Sequence, residues 1–259
     1  MSSVKDSILL KSGATAPDPH SSNLIRHFST FDSTSAANFS NGSNSSVTWV
    51  DLTGNGNATV QNVNFDTSTN LFTTASNSNI NLGDVLGSSS TAQTLTTELW
   101  FKVDSSKNEA YVLGSSCRVA HGGGFAVYIE GPSANDDFGF SKYYASSGSS
   151  GTDANKYVNV GNVSTGVFHQ YVYAFTNSAT IYAWVDGQSI TGGTYAFGSQ
   201  SSASNTVNTQ GDNMHFGTFS TGTNNLIGQG ALIRLYSDVL SDAEVLNNYN
   251  ASKALFGLS

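Results

Sequence analysis

The 259-residue sequence is poor in charge, since Asp, Glu, Lys and Arg together make up only 11% of it. About a quarter is usual in globular domains. The 10 Lys and Arg are outnumbered by 18 Asp and Glu, which gives a formal net charge of −8. A chain without a basic stripe does not suit a phosphate backbone, so nucleic acid is excluded as a partner, and docking to an anionic membrane is disfavoured.

Cysteine and long apolar runs are also scarce. Cys117 is the only cysteine, so an internal disulfide cannot form. The chain therefore does not belong to the class of small secreted folds that disulfides stabilise. No window approaches the roughly 18 consecutive apolar residues that a membrane span needs. Residues 1–25 lack the apolar stretch of a signal peptide. These absences predict a chain that is made in a cytoplasm and does not insert into a membrane.

The first 23 residues read as an arm. They contain Pro17 and Pro19, two of the 3 prolines in the chain, and show no sustained period. Such a segment is either a frayed terminus or a docking segment for a larger assembly. The sequence therefore predicts an arm at 1–23 and one domain over 24–259.

From Leu24 onward the pattern is one of short strands separated by polar turns. Residues 95–103 alternate, with Leu99 and Phe101 on one face and Trp100 on the other. Other apolar runs fall at 125–129, 167–175, 180–185 and 227–236, and weaker ones at 48–52, 79–82, 138–144, 157–160 and 214–219. Many strands of this kind predict two antiparallel sheets packed face to face, with a closed barrel as the alternative.

One helix is predicted near the C-terminal end of the sequence. Ser241 and Glu244 have the spacing of a capping box, in which each side chain binds the other residue's backbone amide. Val245, Leu246 and Tyr249 follow at helical spacing. The helix should be short and lie against the sandwich.

Two segments resemble a known family. Trp49 to Ala58, WVDLTGNGNA, is similar to an opening motif of concanavalin A-like lectin/glucanase domains of the laminin-G type. Ile233 to Val245, IRLYSDVLSDAEV, is similar to their closing strand-then-helix motif. The resemblance implies an all-β, two-sheet antiparallel jelly-roll sandwich with one short C-terminal helix. It leaves function open, because the superfamily contains both lectins and glycoside hydrolases.

No catalytic signature accompanies the resemblance. Glycoside hydrolysis requires two flanking carboxyl groups, and the β-glucanase branch carries them as E-x-D-x-x-E. The four glutamates are Glu98, Glu109, Glu130 and Glu244, and none is followed by an aspartate two residues on. No G-x-S-x-G elbow occurs either. The sequence predicts a protein that is not an enzyme, with a carboxylate pair assembled from distant loops as the alternative.

Sugar binding needs an aromatic platform with planar polar groups beside it. The candidates for such a platform are Trp100, Trp184, Tyr143 and Tyr144. Both tryptophans alternate against the more apolar strand faces, so they are candidates for a second, less buried surface. The alternative is that they pack on the opposite sheet or under loops.

Calcium is the candidate cofactor, since lectin and laminin-G relatives bind it with hard oxygen ligands from loops. Asn135, Asp136 and Asp137 form the densest acidic loop and are the candidate ligands. The alternative is a solvated acidic loop. None of the three matches a calcium motif of the family residue by residue.

Three functions are compatible with these observations. The first is a non-catalytic virion surface protein, a capsid decoration or tail component that displays a laminin-G-like, glycan-binding domain and is made in the host cytoplasm. Its partners would be other virion proteins, held through the arm, host-surface glycans and further copies of itself. The second is an extracellular carbohydrate-binding module or adhesin of a cell surface. The third is a polysaccharide hydrolase.

Overall fold

The computed structural model describes residues 22–86, 94–104, 110–115, 123–129, 140–145, 154–159, 165–176, 181–190, 194–197, 213–218 and 226–259. Within these ranges the chain forms two separate nine-stranded sheets. Every strand pair in them is antiparallel. This confirms the predicted two-sheet sandwich and excludes the barrel.

The first sheet has the two longest strands at its centre. Its members are β1 (Leu24–Ser29), β2 (Gly42–Asn44), β5 (Val63–Asp66), β6 (Leu71–Thr74), β8 (Leu95–Val103), β13 (His169–Phe175), β14 (Ile181–Val185), β15 (Gln188–Ser189) and β18 (Gly228–Tyr236). They lie in the order β15-β14-β13-β8-β18-β6-β5-β2, and β1 also pairs with β18. The strand predicted over 95–103 is confirmed as β8, at the centre of the sheet.

The second sheet contains the remaining strands. They are β3 (Val47–Trp49), β4 (Ala58–Gln61), β7 (Asn79–Gly83), β9 (Ala110–Ser115), β10 (Gly123–Ile129), β11 (Phe140–Ala145), β12 (Ala154–Asn159), β16 (Thr194–Phe197) and β17 (Met214–Phe216). Their order is β16-β12-β11-β10-β9-β17-β7-β4-β3.

The hydrophobic core lies between the sheets. Leu99 and Phe101 of β8 are buried in it, which confirms the predicted alternation of that strand. Trp49 is fully buried, and its ring lies 5.5 Å from that of Phe28 and 5.3 Å from that of Phe72, measured between centroids. Aromatic rings from both sheets thus fill the space that a sandwich of this size must close.

The opening motif builds a loop around one buried carboxylate. The Asp51 side chain accepts hydrogen bonds from the backbone amides of His27 (2.9 Å), Thr53 (3.0 Å) and Gly56 (3.1 Å). Gly54 in this loop has a φ of 77°, which glycine adopts without strain. The motif therefore has a structural role, since it ties the loop to β1.

The predicted helix is confirmed as α2 (Asp242–Ser252), and a 3₁₀ turn over Lys253–Phe256 follows it; a single-turn helix, α1 (Ser33–Ala36), follows β1. The Ser241 hydroxyl accepts a bond from the Glu244 amide (3.4 Å), and the Glu244 carboxylate accepts one from the Ser241 amide (2.7 Å). This is the predicted capping box. Helix α2 and the 3₁₀ turn lie on the outer face of the first sheet, which they cover around β8.

Candidate functional site

Trp100 lies on the outer face of the first sheet, but it is not exposed. Its side chain is fully buried, and its ring is stacked on those of Tyr249 and Phe256 at centroid distances of 5.7 and 4.5 Å. Its indole Nε1 donates a hydrogen bond to Glu98 Oε1 (2.9 Å). The prediction of a sugar platform is wrong for Trp100, because the C-terminal helical segment covers the face that alternation alone leaves open.

Trp184 is buried on the same face. Only 2% of it is exposed, and it packs in a cluster with Tyr236 and Val245. Its Nε1 donates to the Asp242 carboxylate (2.7 Å) in the first turn of α2. The platform prediction is therefore wrong for Trp184 too, and the packing alternative is correct for both tryptophans.

Under α2 lies a buried polar network centred on Glu98. The Glu98 carboxylate accepts bonds from Trp100 Nε1 (2.9 Å), Gln170 Nε2 (2.9 Å), Arg234 Nη1 (3.0 Å), Tyr236 Oη (3.3 Å) and Asn248 Nδ2 (2.9 Å). Glu98 and Arg234 are both fully buried. The arginine and tyrosine of the closing motif therefore attach the last strand and α2 to the centre of the first sheet. Alternation had not identified this cluster.

His27 borders this network as a neutral acceptor. Its Nε2 lies 3.4 Å from Arg234 Nε, which donates to it. Burial, and secondarily the charge of Arg234, lower the pKa of His27 from 6.5 to about 3. Below pH 6.5 the unfolded chain binds a proton at this histidine that the folded chain does not. Stability contributed by His27 is thus full above pH 6.5 and is lost as the pH falls towards 3.

We expect this histidine to make the fold acid-sensitive. Lowering the pH from 7 to 5 should reduce the free energy of unfolding by about 2 kcal/mol, because the unfolded chain gains a proton at this histidine and the folded chain does not. Urea unfolding at the two pH values should show the loss in the wild type, and His27→Gln, which keeps an acceptor but does not titrate, should largely abolish it. His169→Gln, a change at a partly exposed histidine, is the control. An equal loss in wild type and His27→Gln would show that other groups cause it.

Tyr143 and Tyr144 lie on β11, in the second sheet. They are consecutive strand residues, so they occupy opposite faces. Tyr143 pairs with Phe125, two residues from Val127, which is buried in the core. Position 143 thus belongs to the core-facing side and position 144 to the outer side. The side chains of Tyr143 and Tyr144 lie outside the described part of the structure, so the platform prediction for these two residues stays a prediction.

The strand register groups further aromatic residues with Tyr144. Lys142 pairs with Tyr157, which in turn pairs with Tyr195. In the neighbouring row, Tyr144 pairs with Asn155, which pairs with Phe197. Successive strand residues alternate between the two faces of a sheet, so positions 142, 144, 155, 157, 195 and 197 all lie on the face of the second sheet that points away from Val127 and the core. The register therefore brings four aromatic positions, one asparagine and one lysine to the same face of the second sheet, a grouping that no local sequence motif indicates.

A small polar groove lies at one end of the first sheet. It has a volume of about 310 Å³ and is lined in part by Thr73, Lys102, Asp104, Thr165 and Gln229. These residues come from β6, β8, β18 and the segments that border β8 and β13. Sequence reasoning missed the groove because its lining residues are distant along the chain, with Thr73 and Gln229 lying 156 residues apart.

The calcium prediction stays a prediction, since Asn135, Asp136 and Asp137 fall outside the described residues, as does Cys117. In the part of the chain that is described, no group of three or more His, Cys, Asp and Glu side chains could hold a metal ion. No helix within those same residues is long and apolar enough to cross a membrane.

Several solved structures share this fold at low sequence identity. Domain 4 of AbnA, a GH43 extracellular arabinanase from Geobacillus stearothermophilus solved with arabinotriose, has a TM-score of 0.57 and 13% identity, with 88% of this chain and 98% of that chain covered. Trypanosoma rangeli sialidase gives 0.58 and 14%, with coverage of 90% and 33%. The receptor binding domain of botulinum neurotoxin C/D mosaic serotype gives 0.58 and 14%, with coverage of 88% and 51%. The chain thus spans about a third of the sialidase and half of the toxin chain, and at such identities the likeness establishes the fold alone.

No curated protein gives a significant match to the sequence. A family model, Laminin_G_3, described as the concanavalin A-like lectin/glucanases superfamily, matches residues 73–246, about two thirds of the chain. With the two-sheet sandwich and its C-terminal helix, this match establishes that the chain belongs to the concanavalin A-like lectin/glucanases superfamily.

Proposed function

We propose that the domain is a non-catalytic carbohydrate-binding module whose ligand lies on the outer face of the second sheet. The observation that carries this proposal is the register that places Tyr144, Tyr157 and Tyr195 on one face with Lys142 and Asn155. Aromatic rings stack on the apolar faces of sugar rings, while amide and ammonium groups bond to hydroxyls. Helix α2 and the 3₁₀ turn cover the outer face of the first sheet around β8, where Trp100 and Trp184 are buried, so we assign the aromatic platform to the second sheet.

The roles of two glutamates support a non-catalytic function. Glu98 is fully buried, and its oxygens are occupied by five donors. The carboxylate of Glu244 is bound in the capping box. Neither is placed to protonate a glycosidic oxygen, as a hydrolase acid must be.

We further propose that the module is displayed on a virion, with the arm at 1–23 as its attachment segment. The arm contains Pro17 and Pro19 and shows no sustained period, which suits a segment that docks to a neighbouring protein. Display as a cell-surface module or adhesin is the second candidate. Mass spectrometry of purified particles distinguishes the two settings.

The glycan face is tested by the double variant Tyr157→Ala/Tyr195→Ala. Wild type should bind a subset of a glycan array saturably, and the double variant should lose about tenfold or more in affinity, because two stacking rings contribute about 0.5–1.5 kcal/mol each. Tyr182→Ala is the matched control, since this tyrosine is 41% exposed on the first sheet. Titration calorimetry with the best array ligand measures the three affinities.

Two outcomes would contradict the proposal. Equal losses in the double variant and in Tyr182→Ala would show that the second sheet is not the binding face. Release of reducing sugars from a bound polysaccharide by the wild-type protein would show that the domain is catalytic.

A further inference from the structure

The groove at the end of the first sheet, which we call the Lys102 groove, is separate from the proposed glycan face. Thr73, Lys102 and Gln229 lie in one row across β6, β18 and β8, because Gln229 pairs with both other residues. Gln229 Nε2 donates a bond of 3.4 Å to Thr73 Oγ1. The row presents an ammonium group, an amide and a hydroxyl side by side on the outer face of the first sheet.

Two glycines shape the walls of this groove. A Cβ at Gly228 would lie 2.1 Å from the Lys102 carbonyl oxygen, so β8 and β18 can approach as they do only with glycine there. Gly166 has a φ of 78°, and its amide donates a bond of 2.9 Å to the Val103 carbonyl oxygen. These backbone contacts hold the strand ends and the loop before β13 in fixed positions.

The ammonium group of Lys102 is oriented by an aromatic ring. Its Nζ lies 5.3 Å from the centroid of the Phe168 ring, a cation–π distance. Phe168 is 7% exposed and packs against Phe256 of the 3₁₀ turn, with 4.8 Å between centroids. No ion pair recorded within the described residues involves Lys102. The ring thus positions the ammonium while leaving its N–H donors available to a ligand.

The geometry points to a binding site for a single sugar that carries a carboxylate, a uronic acid, in the Lys102 groove. A volume of about 310 Å³ accommodates one monosaccharide. Lys102 would receive the sugar carboxylate, and Gln229 and Thr165 would bond its hydroxyls. Val167, adjacent to the lining residue Gly166, is 43% exposed and offers an apolar surface to the C–H face of the ring.

The test compares D-glucuronate, D-glucose and acetate as probes in NMR titrations of the full chain. Glucuronate should bind saturably, and more tightly than either glucose or acetate. Lys102→Met should weaken glucuronate binding about tenfold or more, the usual loss for a charge-assisted hydrogen bond, and Lys102→Arg should retain it. Lys253→Met is the matched control, because Lys253 Nζ also lies over an aromatic ring, that of Tyr249 at 5.7 Å, away from the groove.

Three other outcomes would contradict the proposed uronic acid site, each for a different reason. Equal binding of glucose and glucuronate would exclude a role for the carboxylate, and equal binding of acetate would reduce the groove to an anion site. Equal effects of Lys102→Met and Lys253→Met, at unchanged thermal unfolding midpoints, would exclude the groove itself. The Tyr157→Ala/Tyr195→Ala variant should bind glucuronate normally, so a failure at either site can be recognised independently of the other.

Discussion

Arg234→Met should lower the free energy of unfolding by about 3–5 kcal/mol, because it leaves the Glu98 carboxylate buried without its cationic partner. Both side chains are fully buried, and the Nη1–Oε1 distance is 3.0 Å. The same nitrogen also donates to Ser252 Oγ (3.1 Å), at the end of α2. The variant therefore loses a charge pair and a contact to the helix together. Urea unfolding followed by tryptophan fluorescence measures the loss.

Two further variants identify the cause. The double variant Glu98→Gln/Arg234→Met removes the unpaired buried carboxylate but keeps a side-chain acceptor for Trp100 Nε1. It should therefore recover part of the stability that Arg234→Met loses. Arg26→Met is the control, because the Asp51 carboxylate 3.8 Å from Arg26 keeps its bonds from backbone amides when the arginine is removed. A double variant less stable than Arg234→Met would show that packing, and not the unpaired charge, dominates.

Trp100→Ala should cost about 3–5 kcal/mol, the range for removing a buried aromatic side chain. The variant opens a cavity under the 3₁₀ turn, since Trp100 contacts the rings of Tyr249 and Phe256. The C-terminal segment should then detach more often, and limited proteolysis should cleave it faster than in the wild type. Thermal unfolding and the cleavage rate measure the two effects.

The matched variant Trp100→Phe keeps a smaller ring against Tyr249 and Phe256 and loses the bond to Glu98. It should therefore be markedly more stable than Trp100→Ala. Glycan affinity below the unfolding temperature should be the same in both variants and in the wild type. A Trp100→Ala protein that is as stable as the wild type but no longer binds the glycan would show that Trp100 is part of the binding surface.

The sequence predicted the strongly alternating strands well, because the two-residue spacing of apolar side chains is a local property of the sequence. Strand β8 and helix α2 lie where alternation and the capping box place them. Strands such as β2 and β15, of three and two residues, were not predicted, since so few residues show no period. Their pairing is decided by neighbouring strands.

The candidate site was less predictable, because it depends on which element covers which face. The alternation around Trp100 and Trp184 correctly predicts that both lie on the face away from the core. Nothing in the neighbouring sequence shows that α2 packs on that face and buries them. Tyr143 and Tyr144 are adjacent in sequence and therefore lie on opposite sides of a strand. The Lys102 groove joins strand ends that only the tertiary fold brings together.

The position of β18 has a consequence for synthesis on the ribosome. This strand lies at the centre of the first sheet, between β8 and β6, yet it comes last among the described strands in sequence order. Until residues 228–236 have been made, β8 and β6 have no strand between them and β1 has no partner. The nascent chain therefore has unpaired edges on β8 and β6 until β18 has been made. Completion of the first sheet should accordingly wait for β18, and such long-range pairings should make folding slow and leave the open edges prone to edge-to-edge association until then.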